Sequence, residues 1–339
     1  ILGRNTTLPA EAWSRYDGVY YGNIAQWLKY ANSLKLRMAM RLSYVKSDVA
    51  RAKAAEAIAG GVIEANADNA AMHAAENRTT LIYNDWGDHR VGADILCYMN
   101  GYKDPRMEKM FLPNDVDDYV GIDVAGKSTA MSKYSNMIVA SDTPYLWFNA
   151  AEATFLHAEY ELRWGSAETA KTLYEQAVRL SFEERGASGA DAYLVDATKK
   201  PAPYTDPLGN YSASARSEIT VPWETATDGS DTEAVQERNL ERIIVQKWIA
   251  IFPLGVEAWS EHRRTGYPKL LPVPTDKSGG SVNVEQGARR LPYPVEEYQQ
   301  NNANLQAAIQ TLGAEQQNGD RSGDVMGTRV WWDCKPYNK

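Results

Sequence analysis

Residues 145–184 read YLWFNAAEATFLHAEYELRWGSAETAKTLYEQAVRLSFEE, and the spacing of their small and apolar side chains decides the fold class. Ala151, Phe155, Ala158 and Leu162 recur with the roughly 3.6-residue period of a helix that buries one face. With Pro144 at a first-turn position, the spacing predicts a helix over Tyr145–Trp164. Gly165 ends it and Ser166 caps a second helix over Ala167–Glu184, whose facing stripe is Ala170, Leu173, Tyr174 and Ala177.

Counted from Ala151 as the first position, Ala158, Ala170 and Ala177 fall at positions 8, 20 and 27, with Tyr174 at 24. Small residues and an aromatic at those places match the tetratricopeptide unit of about 34 residues, in which they let two helices approach closely. Two further helical hairpins read outward from this one. In the first, about 24–60, Trp27, Tyr30, Ala31, Leu34, Met38, Leu42 and Val45 form a stripe from Ile24 to Val45, with Lys29, Lys35, Arg37 and Arg41 mostly on other faces. Ser47 or Asp48 then caps an Ala-rich helix that stops at Gly60-Gly61. In the second, about 239–266, Leu240, Ile243, Ile244, Trp248 and Ile251 are expected to be buried before Pro253 breaks the helix, and a short helix carries Val256 and Trp259. The stretches 66–143, 187–238 and 268–339 are rich in Asn, Asp, Gly, Pro, Tyr and Trp and read as long ordered insertions, which in compact proteins are usually functional. The fold class is mostly α: a tetratricopeptide-like scaffold of helical hairpins carrying a loop-rich subdomain, all within one domain over 1–339.

Composition narrows the function. Among 339 residues, 36 Lys plus Arg against 44 Asp plus Glu leave a net charge of −8, unlike a general nucleic-acid or anionic-membrane surface. No apolar run nears the ~18 residues of a membrane span. Two cysteines, Cys97 and Cys334, make no disulfide scaffold. The chain opens at Ile1 with no initiator Met, so a processed or truncated piece of a longer protein is expected. Of the aromatics, 20 are Tyr and 10 Trp against 5 Phe, a bias toward rings with a hydrogen-bonding edge, suited to amphipathic ligands.

One segment, Gly121 to Ser128, satisfies the phosphate-loop pattern G-x-x-x-x-G-K-[ST]. The acidic, turn-like Leu112–Asp118 before it cannot be the buried strand that this chemistry needs, so Lys127 is expected to be a solvated loop residue. The four histidines, His73, His89, His157 and His262, lack metal-ligand spacing. Asp115, Asp117, Asp118 and Asp123 do not follow a calcium-loop spacing. No nucleophile elbow or Cys/His arrangement is visible, and no carboxylate pair stands out for glycoside hydrolysis. No catalytic, cofactor or metal site is expected. The stronger candidate is Tyr83-Asn84-Asp85-Trp86-Gly87-Asp88-His89-Arg90, an indole among turn formers beside side chains able to read hydroxyls. Sugars bind in this way, with an aromatic face against the ring and Asp, Asn or Arg on its hydroxyls. Trp86 is the expected stacking face, helped by His89 and Arg90, with Tyr119 and Trp223 as neighbours. An indole plugging its loop onto the scaffold is the alternative, and it applies equally to Trp223 with Tyr193, Tyr204 and Tyr211.

Taken together, Trp27–Arg41 (WLKYANSLKLRMAMR), Asn100–Arg106 (NGYKDPR), Gln246–Ala250 with Glu257-Ala258-Trp259 and Arg263–Pro268, Arg290–Pro294 (RLPYP) and Val330–Asp333 (VWWD) closely resemble, in order, the motifs of the SusD/RagB family. The resemblance implies a cell-surface glycan-binding lipoprotein of a Gram-negative outer membrane. It would capture oligosaccharide or polysaccharide for import by a SusC-like TonB-dependent transporter. It also implies a longer N-terminal part, with a lipidated Cys absent from this chain. The recurring positions are scaffold residues, so no binding residue carries over. A tetratricopeptide adaptor for protein segments, which would use the concave repeat face, and a glycan-processing enzyme, which would show turnover, are the alternatives.

Overall fold

A computed structural model describes residues 13–123, 130–314 and 323–336. Its longer helices are Ile24–Arg41 (α1), Ser47–Ala59 (α2), Ala93–Tyr102 (α3), Ala150–Trp164 (α4), Ala167–Glu184 (α5), Thr232–Ala250 (α6), Gly255–Thr265 (α7) and Asn302–Ala314 (α8). Three small antiparallel sheets pair Ala70–Met72 (β1) with Tyr145–Phe148 (β4), Phe111–Leu112 (β2) with Asn136–Met137 (β3), and Tyr204–Thr205 (β5) with Ser212–Ala213 (β6). The protein is mostly helical, and among the described residues no helix is long and apolar enough to cross a membrane.

The α4–α5 hairpin forms as its spacing requires. Ala151, Phe155, Ala158 and Leu162 of α4 share one buried cluster with Ala170, Tyr174 and Ala177 of α5. The Ser166 hydroxyl caps α5 by accepting from the Thr169 N–H. The start of α4 differs from expectation. Tyr145–Phe148 is a strand rather than a first helical turn, because three aromatics and a leucine suit a pleated, half-buried surface and β1 lies alongside. Asn149 then starts the helix, its side chain accepting from the Glu152 N–H at 2.9 Å.

The first hairpin is rotated relative to its apolar stripe. α1 ends at Arg41 instead of Val45, and it buries Ser33, Leu36, Ala39 and Met40 while Met38 stays 64% exposed. Arg37 and Arg41 turn inward, each with about 15% of its side chain exposed. Lys46, not Ser47 or Asp48, sits at the cap position of α2, without a side-chain cap. In the third hairpin α6 begins at Thr232, capped by Asp231, ahead of the expected Asn239. Its first turns are polar and gave no periodic signal. Leu240, Ile243, Ile244 and Ile251 are buried as expected, whereas Trp248 is only half-buried.

The 66–143 stretch is more than loop. Helix α3 runs into the main core, where Ile95, Leu96, Met99 and Tyr102 pack with Phe155, Tyr174 and Ile244. Gly101 makes the fit possible, since a Cβ there would lie 2.1 Å from the Lys200 carbonyl oxygen.

Where α1, α4, α6 and α7 meet, charges replace the apolar core. The Arg264 guanidinium, wholly buried, donates to both oxygens of Glu159 at 2.7 Å and to both of Glu261 at 2.6–2.8 Å. Lys247 pairs with Glu261, Arg163 with Glu159 at 2.7 Å, Arg37 with Glu152 at 2.6 Å and Arg41 with Glu257 at 2.5 Å. Burial pushes the Glu159 carboxyl up, but Arg264 and Arg163 more than reverse it, to about 2. Against an unperturbed 4.5, this carboxylate stabilises the fold above pH 4.5 and loses that contribution as pH falls toward 2.

Two outcomes follow from this packing. Ala170→Leu should overpack the α4–α5 contact and cost about 1–3 kcal/mol, read as a lower urea midpoint with an unchanged slope. Glu159→Gln should cost about 3–5 kcal/mol at neutral pH by leaving Arg264 and Arg163 underpaired. Its deficit against the parent should shrink between pH 4.5 and pH 2.5, and urea titrations at both ends measure it.

Candidate functional site

The Trp86 loop is built on a local irregularity. Leu81–Asp85 forms one turn of π-helix, closed by the Trp86 N–H donating to the Leu81 carbonyl at 2.8 Å. Such turns are rare and recur at functional sites. Gly87 follows at φ 64° with open space around it, a left-handed residue that lets the chain reverse without strain. The result holds Trp86 outward, 68% exposed, and among the described residues nothing accepts from its indole N–H.

The loop is braced from beneath. Tyr83 packs against the main core, and its carbonyl accepts from the Asn136 amide at 2.9 Å. The Asn84 amide donates to the Val139 carbonyl at 3.2 Å. Arg90 donates to the carbonyls of Gly87 at 2.8 Å, His89 at 2.6 Å and Met131 at 2.9 Å. The His89 ring lies 6.2 Å from the Tyr83 ring, with Nδ1 2.7 Å from Asp88 Oδ1. Asp85, Asp88 and His89 are exposed. The structure thus brings Trp86, His89 and Arg90 onto one loop, with Arg90 facing the backbone.

The other two candidates lie against the scaffold. Trp223 packs on Tyr174 of α5 with ring centroids 5.5 Å apart. Tyr119 is half-buried against the main core. No ring contact joins either to Trp86 among the described residues. Tyr193, Tyr204 and Tyr211 turn their hydroxyls inward, to Asp104, the Gly121 carbonyl and the Pro272 carbonyl respectively.

A cleft of about 450 Å³ opens between the start of α3 and the α6–α7 turn, walled by Trp248, Phe252, Trp259 and Pro268. Sequence reading treated Trp248 as core; the only hint of a cleft was a second Trp beyond the Pro253 break. Three of its polar groups are already engaged. The Trp259 N–H donates to the Ala288 carbonyl at 2.9 Å, Asp94 accepts from the Leu271 N–H at 2.6 Å, and His262 Nδ1 lies 3.0 Å from the Pro268 carbonyl oxygen. Burial, with Arg289 nearby, lowers His262 to about 4, so it is neutral at physiological pH. The acidic loop is likewise engaged, Asp115 with Ser132 and Lys133. Among the described residues no three His, Cys, Asp or Glu side chains converge to hold a metal ion. The segment before the phosphate-loop pattern is a short antiparallel strand followed by a turn in which Asn114 accepts from the N–H groups of Val116 and Asp118. Lys127 lies outside the described residues.

With this geometry in place, comparison with known proteins is informative. The family model described as SusD-like, the SusD and RagB outer membrane lipoproteins, matches residues 2–333. The chain belongs to this family. A SusD homologue from Bacteroides thetaiotaomicron is 49% identical with a TM-score of 0.91, covering 99% of this chain and 71% of its own. One from Bacteroides ovatus is 40% identical with a TM-score of 0.89, covering 98% and 70%. A chitin-binding SusD homologue from Flavobacterium johnsoniae is 36% identical with a TM-score of 0.85, covering 96% and 67%. No curated protein matches the chain. The resemblance read from the five motifs is therefore correct, and so is the mostly helical, SusD-like fold.

Exposure separates the two tryptophan environments in a measurable way. Trp86→Ala should change stability by less than about 0.5 kcal/mol, as surface substitutions do. Trp248→Ala should cost on the order of 2–3 kcal/mol, somewhat below a fully buried indole. Chemical denaturation of the two variants against the parent checks the contrast.

Proposed function

We propose that this SusD-like chain is a surface glycan-binding protein, that Trp86 is its stacking face, and that binding proceeds without turnover. The observation that carries the reading is the exposed Trp86 indole on a π-turn braced by Arg90. A flat apolar face held rigid beside free hydroxyl-reading groups loses little entropy when a pyranose ring settles on it. His89 and Asp88 stand at its edge, while Tyr119 and Trp223 belong to the site only as more distant supports.

The finer parts of the reading are import and attachment. In this proposal the captured oligosaccharide or polysaccharide passes to a SusC-like TonB-dependent transporter, with the chain held at the cell surface by a lipid anchor on an N-terminal cysteine. Family membership supports both, and the helical hairpins supply the broad rigid face that such docking needs. No cofactor enters the reading. The support for binding without turnover is family membership.

The test is calorimetric titration of the full-length protein against a panel of soluble polysaccharides, chito-oligosaccharides among them, with reducing-end release followed alongside. Trp86→Ala should weaken binding by about 1–3 kcal/mol, the range for aromatic stacking on planar rings, at unchanged melting temperature. Equal affinity in the variant would place the site elsewhere, and reducing ends released in step with binding would make the protein an enzyme.

A further inference from the structure

Arg90 is the one cation in the 81–90 loop, and its position argues against the role that sequence assigns it. Three of its contacts are to backbone carbonyls: Gly87 and His89 on its own loop, and Met131 on the segment beneath. A planar guanidinium reaches all three at once because its donors are fixed in a fork, which a lysine ammonium cannot copy. The carbonyls of Gly87 and His89 flank the reversal after Trp86, so the same fork fixes the direction in which the indole leaves the loop. Among the described residues, nothing accepts from Nη2. On the indole's own loop the exposed acidic side chains are Asp85 and Asp88. Among the described residues nothing bonds the Asp85 carboxylate, while Asp88 lies 2.7 Å from His89 and also feels the Arg90 charge.

We infer that Arg90 is a positioning residue for the Trp86 platform rather than a ligand contact, and that the platform selects uncharged glycans over those bearing uronate or sulfate. The inference rests on the glycan-binding reading of Trp86 and adds its ligand class. A carboxylate accepts from sugar hydroxyls and repels another anion, and the two exposed carboxylates of the loop, Asp85 and Asp88, outnumber its single guanidinium, which is committed to backbone carbonyls.

Two measurements on the full-length protein test it. Amide hydrogen exchange needs no ligand: Arg90→Lys, which keeps the charge and removes the fork, should speed exchange of the hydrogen-bonded Trp86 and Val91 amides at least tenfold at unchanged melting temperature. In binding, Arg90→Lys and Trp86→Ala should each weaken affinity, and the double variant should be no weaker than Trp86→Ala alone. Lost affinity with unchanged exchange, or full additivity of the two changes, would make Arg90 a ligand contact and overturn the inference.

For selectivity the probes are neutral xyloglucan, galactomannan, laminarin and glycol chitin against polygalacturonate, alginate and heparin. Wild-type protein should bind at least one neutral probe in a Trp86-dependent manner and each anionic probe at least tenfold more weakly. Asp85→Asn with Asp88→Asn should narrow that gap several-fold, most at low salt. Tighter binding of an anionic probe than of any neutral one overturns the selectivity while leaving Trp86 as a glycan platform. Binding that ignores Trp86→Ala removes the platform reading itself, and absence of binding to both sets removes reading and inference together.

Discussion

The Arg264 guanidinium sits in a site with no exposure, forked between Glu159 from α4 and Glu261 from its own helix α7. Each of these ions costs several kcal/mol to take out of water, and the cost is recovered only when the geometry closes completely. Lys247 from α6, Arg41 from α1 and Arg163 from α4 add further ion pairs to these carboxylates, with Arg41 Nη1 and Arg163 Nη2 buried but not hydrogen-bonded. Four helices drawn from three separate hairpins must therefore arrive in one register, because a turn's displacement of any of them strands a charge. Apolar stripes tolerate sliding; forked carboxylate pairs do not. This cluster fixes how the hairpins stack and hence the rigid body from which the loops project.

The same constraint explains where the apolar pattern of α1 misled. The stripe through Trp27, Leu34 and Met38 points one way, yet Arg37 and Arg41 pair with Glu152 and Glu257 on the inward side, and the helix turns to deliver them. A period count sees apolar side chains and has no term for an arginine whose carboxylate lies 115 residues away. The α4–α5 hairpin was legible because its two stripes face each other across a short turn, so local spacing carried all the information. Helix α3 was not, since its partners Phe155, Tyr174 and Ile244 come from far along the chain and its own sequence holds Asn100 and Gly101 near its end.

Tyrosine abundance suits ligand surfaces, yet the structure gives five of the 20 tyrosines another task. Long irregular segments carry backbone carbonyls that no helix or sheet satisfies. Tyr98, Tyr102, Tyr174, Tyr204 and Tyr211 each donate a hydroxyl to such a carbonyl, those of Lys269, Ile219, Val221, Gly121 and Pro272. Phenylalanine would supply the same packing and leave those oxygens unpaired. The tyrosines are thus the pins by which loop-rich insertions are fixed to a helical scaffold. Exposure, not ring type, is what distinguishes a platform from a pin, and exposure is the quantity that a sequence does not state.

That distinction bears on what kind of site the protein can offer. The cleft beside Trp248 and Trp259 has the concavity expected of a small-molecule site, but Trp259, His262 and Asp94 are already bonded to backbone groups, so a hydroxyl-rich ligand entering it would find few free polar partners. At Trp86 the balance is reversed. Arg90, Asn84 and Asn136 donate inward to backbone carbonyls, and an indole, two carboxylates and the His89 imidazole face water. A long polysaccharide cannot thread a closed pocket, yet it can lie across an open ring and leave again. A surface for long glycan chains is better built as a braced platform than as a cavity.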